Sequence, residues 1–165
     1  MTPAPLKRVS TLFLKAVIVV IAAGVLALCV FLLPQIWIMI PRELPEFMPM
    51  VYPAIIGLSA SAIPFLFALV QAFRLLHNID KNNAFSESSV EALKHIKYCA
   101  IAMSVCYAAG IPLVFTIAEL DDAPGLGLIG LVIVAAPLVV ATFAAVLEKL
   151  VRSAIDLKME NDLTV

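Results

Sequence analysis

Four stretches of this 165-residue chain contain no charged residue: Ala16–Pro41, Phe47–Phe73, Tyr98–Ala118 and Ala123–Leu147. The shortest, Tyr98–Ala118, has 21 residues. At a rise of about 1.5 Å per helical residue it reaches roughly 31 Å, enough for a hydrocarbon core of about 30 Å. Backbone amides and carbonyls in lipid need internal partners, so such runs form helices or closed barrels. Barrel strands are about ten residues long and alternate in polarity; these runs do neither. The pattern predicts an all-α polytopic membrane protein with four transmembrane helices in one membrane domain over 1–165. The expected spans are 16–38, 51–74, 97–118 and 125–147.

Between the second and third spans, residues 75–96 read as a helical hairpin that projects from the membrane. Ala72, Leu75, Leu76 and Ile79 share one face and carry span two outward to Asp80. Lys81-Asn82-Asn83-Ala84 is turn-prone. After it, Ser86 is placed to cap a new helix, with Phe85 and Val90 at hydrophobic-staple positions. Ser88 with Glu91 offers a competing capping box. The tail, 148–165, continues span four: Glu148 with Arg152 and Arg152 with Asp156 are i,i+4 pairs of opposite charge. Leu147, Leu150, Ala154 and Leu157 form an apolar stripe there, while Glu160–Val165 has no helix-favouring pattern.

Proline punctuates the rest. Pro34, Pro41, Pro45, Pro49 and Pro53 predict that Pro34–Tyr52 repeatedly breaks helix. That connection is expected to be an interfacial turn with Trp37, Phe47 and Tyr52 at headgroup depth. Pro64, Pro112 and Pro137 are expected to kink spans two, three and four. Residues 1–15, with Pro3 and Pro5, read as a disordered or interfacial lead-in. Small residues recur four apart at Gly57 and Ser61, at Ala102, Cys106 and Gly110, and at Ala141 and Ala145. Such strips predict close helix packing, within the chain or between copies of a homo-oligomer, and not a ligand site.

Charge supplies the orientation. Ten of the eleven Lys and Arg residues fall in the lead-in, in or beside the middle loop (Arg74 and Lys97 at its edges), and in the tail; Arg42 is the exception. Short basic loops stay cytoplasmic. The expectation is therefore a multi-pass membrane protein with both termini and the 75–96 loop on the cytoplasmic side. The first block follows Lys7 and Arg8 as a signal peptide would, but its apolar run far exceeds the usual 7–15 residues. It reads as a retained anchor. A hydrophobic fraction of 63% and a mean hydropathy of +1.07 exclude an ordinary water-soluble domain. The net charge of −1 gives no global attraction to nucleic acid, and no direct nucleic-acid binding is expected.

Candidate chemistry is sparse. Cys29, Cys99 and Cys106 all lie within spans, where an odd number of thiols reads as packing and not as a disulfide framework. Gly57-Leu58-Ser59-Ala60-Ser61 has no histidine at membrane depth to activate a serine, and no span holds paired carboxylates. Phosphate-loop, dinucleotide and metalloprotease patterns are absent. His77 and His95, out of step on the two hairpin arms, read as independent solvated groups with no zinc-ligand spacing. The chain is expected to be no enzyme and to hold no metal or cofactor. No span holds a charged residue away from its ends, which disfavours ion-coupled transport. A passive oligomeric channel or an accessory subunit of a larger membrane complex is the alternative.

The run Leu75-Leu76-His77-Asn78-Ile79-Asp80-Lys81-Asn82-Asn83-Ala84-Phe85-Ser86, followed by Leu93, Ile96 and Lys97, resembles the YoaS-like bacterial membrane proteins. The closing Glu160-Asn161-Asp162-Leu163-Thr164-Val165 is similar to that family's polar tail. The family is one of unknown function, so no catalytic residue carries over. The resemblance implies a four-helix inner-membrane protein whose relatives are often encoded beside a small helix-turn-helix regulator. It suggests a membrane tether or sensor acting on such a partner. The cytoplasm-facing candidates for partner binding are then Asp80, Asn83, Phe85 and Ser86 in the hairpin, and Glu160, Asn161 and Asp162 in the tail.

Overall fold

The computed structural model describes residues 4–164, with side chains for 9–164. Those residues are helical almost throughout: α1 (Ala4–Glu43), one 3-10 turn (Pro45–Phe47), α2 (Met48–Asp80), α3 (Glu87–Ala108), α4 (Ile111–Leu120) and α5 (Pro124–Leu163). Three helical segments are long and apolar enough to cross a membrane: Val9–Glu43, Pro45–Asp80 and Pro124–Leu163. α3 and α4 together make a fourth candidate, bent by 40° at the break between Ala108 and Ile111.

α3 lies between α2 and α5 and packs closely on both. α1 packs on α2, while α4 leans on α5 and more lightly on α2. Val51, Ile55 and Leu113 form a small buried core at the α4 end, with Ile36, Ile40, Leu44, Phe47, Ala54 and Ile117 around it. Polar links cross the apolar interfaces. The Ser104 hydroxyl donates to the Val134 carbonyl of α5 at 2.7 Å, and the Trp37 indole N–H donates to the Ser59 hydroxyl at 3.1 Å. At Gly57 the α2 backbone meets the Cys106 carbonyl of α3 so closely that a Cβ would overlap it. Between α2, α3 and α5 an apolar groove of about 500 Å³ remains, lined in part by Met103 and Tyr107.

Four expectations need correction. Pro34 and Pro41 lie inside α1 and Pro53 inside α2, so the proline-rich connection shrinks to residues 44–47. In lipid no water is available to satisfy a broken ladder, and helix tolerates proline there better than irregular chain does. Residues 4–15 of the expected lead-in are helical, continuing α1; Met1–Pro3 lie outside the described residues, as do the side chains of Lys7 and Arg8. Span three is not one helix, because Pro112 starts α4 instead of kinking α3. Pro64 and Pro137, by contrast, stay inside α2 and α5. The tail is helical through Leu163, since an established helix propagates cheaply across neutral residues; Val165 lies outside the described residues.

Candidate functional site

The sequence candidates gather at one end of the molecule, where α2 stops and α3 starts. α2 closes with a Schellman motif: the Asn83 N–H reaches the Asn78 carbonyl at 2.9 Å and the Asn82 N–H reaches Ile79 at 3.1 Å. The motif needs a left-handed residue, and Asn82 supplies it at φ 56°. Asparagine tolerates that region better than most side chains. The same device ends α4, where Asp122 has φ 50° and the Ala123 N–H reaches Ala118.

Ser86 resolves the choice of helix start. Its backbone is extended, its hydroxyl accepts from the Ser89 N–H at 3.4 Å, and α3 begins at Glu87. The Asn78 amide donates across the turn to the Ser88 and Ser89 hydroxyls at 3.2 and 3.3 Å. Asn78, Ser86 and Ser89 thus form a polar knot that fixes the turn from inside. Phe85 does not serve as a staple: it stays 62% exposed although Val90 is buried. Asn83 is exposed as well.

Asp80 is engaged within the chain. Its carboxylate accepts from the Lys15 ammonium, which joins the end of α2 to α1. That hydrogen bond holds the carboxyl below its ordinary range, against a smaller opposing desolvation, and Thr11 adds to the lowering. A second ion pair, Lys97 with Glu148 at 2.7 Å, joins α3 to α5 at the same end. The contacts of Lys15, Asn78, Ser89, Lys97 and Glu148 were not read from sequence, which had set Glu148 against Arg152. The two ion pairs join residues 65 and 51 apart, and no local pattern reports such separations.

Glu160, Asn161 and Asp162 are exposed in the last turn of α5, which the Thr164 hydroxyl and N–H close onto the carbonyls of Glu160 and Asn161. Registering α5 to α3 through the Ser104–Val134 hydrogen bond sets residue 151 level with Glu87, and through the longer Lys97–Glu148 pair residue 158, at about 1.5 Å per residue. The tail acids therefore lie beyond the start of α3, at the same end of the molecule as the 81–86 turn. No hydrogen bond or ion pair joins the two groups among the described residues. His77 is exposed, and His95 sits edge-on to the Phe67 ring at 5.8 Å. Among the described residues no cluster of three metal-ligating side chains exists.

The family model described as "Protein of unknown function (DUF2975)" matches residues 35–165. This chain belongs to that family. The DUF2975 match starts inside α1 and takes in everything from α2 to the tail. The relative named "Uncharacterized membrane protein YoaS", from Bacillus subtilis (strain 168), is 54% identical over 160 residues, covering 97% of this chain and 100% of the relative. No solved structure matches. The sequence resemblance to YoaS-like proteins is thereby established, along with membership of a membrane-protein family.

Proposed function

We propose that this DUF2975 protein is a non-enzymatic membrane tether or sensor with four spans in the bacterial inner membrane. Both termini and the 81–86 turn lie in the cytoplasm, where a soluble protein partner such as a small helix-turn-helix regulator docks. The observation that carries this reading is the end face itself. A Schellman motif and a capping serine order the turn, the tail acids lie at the same end of the molecule, and Phe85 is left 62% exposed. An ordered turn that presents an aromatic ring to water has the character of an interface anchor. Ser86 and Asn83 hold the turn, Asp80 fixes it to α1, and Phe85 with Glu160, Asn161 and Asp162 meets the partner.

The test is a cross-linking capture from native membranes of three chains: intact, Phe85→Ala, and truncated after Met159. Recovery of a small DNA-binding regulator by the intact chain alone supports the reading. Recovery of the same associates by all three would defeat it. A second reading, an oligomeric channel or transporter component, draws on the bent α3–α4 span and the apolar groove beside it. Solute flux in reconstituted vesicles is its direct measure.

A further inference from the structure

The seam between α3 and α5 has two flanks, and they differ in charge at the end where the charge-free blocks stop. On α3 the direction of the seam is fixed by Ser104, which bonds Val134, and by Lys97, which pairs with Glu148. At about 100° per residue, Ile96 and Met103 fall about 80–100° to one side of it, where they line the apolar groove. Lys94 and Tyr98 fall about 80° and 120° to the other side. On α5, Arg152 follows Val134 by about five whole turns, and Lys149 lies about 60° from that line, away from the groove residues Pro137 and Val140. The two links set Lys94 level with α5 positions between 144 and 151, at about 1.5 Å per residue. Lys94, Lys149 and Arg152 thus gather on the flank opposite the groove. All three are exposed, and none is in an ion pair among the described residues.

The neighbouring acids leave these cations unmatched. Glu148 is taken by Lys97. Asp156 and Glu160 stand one and two turns beyond Arg152, farther from the charge-free block, and Glu91 lies about 60° further round α3, toward α2. At the same height the groove flank shows Leu93, Ile96, Leu147 and Val151. On the cationic flank, toward the middle of the spans, the surface turns apolar: Ile101 and Val105 of α3 are 40% and 67% exposed, and Val146 of α5 is 50% exposed. Tyr98 marks the change, at the first position of its charge-free block, and the Lys97 ammonium lies 5.1 Å from its ring centroid. An exposed tyrosine at that depth has the place of a headgroup-level anchor. We infer that this flank binds an anionic phospholipid. The phosphate meets Lys94, Lys149 and Arg152, Tyr98 lies beside the glycerol, and an acyl chain runs down Ile101, Val105 and Val146. Basic clusters between spans at a membrane surface recognise anionic headgroups in this way. A dissolved phosphate would meet the same cations, but only a lipid also uses the apolar strip that continues from them.

The test is native mass spectrometry of the full-length chain, released from detergent micelles that carry phosphatidylglycerol or phosphatidylethanolamine with matched acyl chains. The parent should retain phosphatidylglycerol in preference to phosphatidylethanolamine. Each basic residue beside an anionic headgroup contributes about fivefold in affinity, so Lys94→Gln with Arg152→Gln should weaken retention about 30-fold. Lys81→Gln with Lys158→Gln removes the same charge at the same end of the molecule, away from this flank, and should leave retention unchanged. Lys94→Arg with Arg152→Lys keeps both charges at exposed positions and should bind as the parent does. Glycerophosphoglycerol, the same headgroup without chains, should not be retained. Equal retention of the two lipids by the parent, or equal loss in the two glutamine variants, would overturn the inference. So would retention of glycerophosphoglycerol as firm as that of the lipid, which would make the ligand a soluble anion. No soluble protein is present, so the outcome is separate from that of the capture experiment above.

Discussion

Replacing Gly57 by alanine should separate α2 from α3, and the cost can be worked from the contact. A Cβ at this position would lie 3.3 Å from the Cys106 carbonyl carbon, closer still to its oxygen, and 3.4 Å from the Ala109 Cβ. Ordinary carbon–oxygen contacts of this kind are about 3.3–3.6 Å, so the helices must part by about 1 Å. The obstacle is backbone and cannot rotate away. Overpacking of this sort costs about 1–3 kcal/mol, and an immovable neighbour puts Gly57→Ala near the top. Alanine returns about 1 kcal/mol of helix propensity, which leaves a net loss of about 2 kcal/mol. For a chain of this size that corresponds to a midpoint about 4–8 °C lower. Cys99, buried on α3, reports the event: in a Cys29→Ala, Cys106→Ala background, its labelling by a maleimide during heating follows the opening of the bundle. Gly24→Ala is the control, since nothing lies within 4 Å of a Cβ there. Gly127 and Gly130 should fall between, because the atoms in their way belong to the Phe115 and Val114 side chains. If Gly57→Ala melts at or above the parent while Gly24→Ala behaves normally, the backbone-limited approach of α2 and α3 is wrong.

Three further outcomes follow from other contacts. Asn82→Gly should be neutral or stabilising and Asn82→Val should cost about 1–2 kcal/mol, because only the former accepts the left-handed cap; the same labelling assay ranks them. Ser104→Ala should lose about 0.6–1.7 kcal/mol through its bond to Val134, with Thr142→Ala, whose hydroxyl bonds only its own helix, nearly silent. The Asp80 carboxyl is depressed in the fold, so its contribution is complete above the unfolded value of about 3.9 and is lost as pH falls through the lower folded value. Asp80→Asn should abolish that acid-side loss of α1–α2 contact, read by the fluorescence of the single Trp37; an unchanged acid profile would assign the loss to another carboxyl.

The helical crossings were legible because a charge-free run longer than twenty residues leaves the backbone one economical solution. The cap at Ser86 was legible for a similarly local reason, as was the turn at Asn82 and Asn83. The break between α3 and α4 had its signals in Gly110 and Pro112, but a proline within an apolar block reads equally as a kink. Pro34, Pro41 and Pro53 misled in the opposite direction, since the rule that proline ends helices assumes water is there to take the freed carbonyls. What no pattern could report is pairing at long range. Lys15 finds Asp80 and Lys97 finds Glu148 only once the helices are side by side. The turn that carries four of the candidate residues was legible as a place along the chain, yet Asp80's engagement and the exposure of Phe85 are properties of packing.

α1 touches little besides α2, and no residue of its most apolar window is buried. Its stability in lipid therefore owes almost nothing to the rest of the fold. During synthesis it can leave the insertion machinery as a finished element, before any of its neighbours has been translated. α2 cannot, since Val51, Ile55 and Gly57 are completed by residues of α3 and α4 that follow it by some fifty positions. The order of assembly is thus written into which helix needs company: α1 can form alone, and the core that Val51 and Ile55 make beside it closes only once α3 and α4 have followed α2.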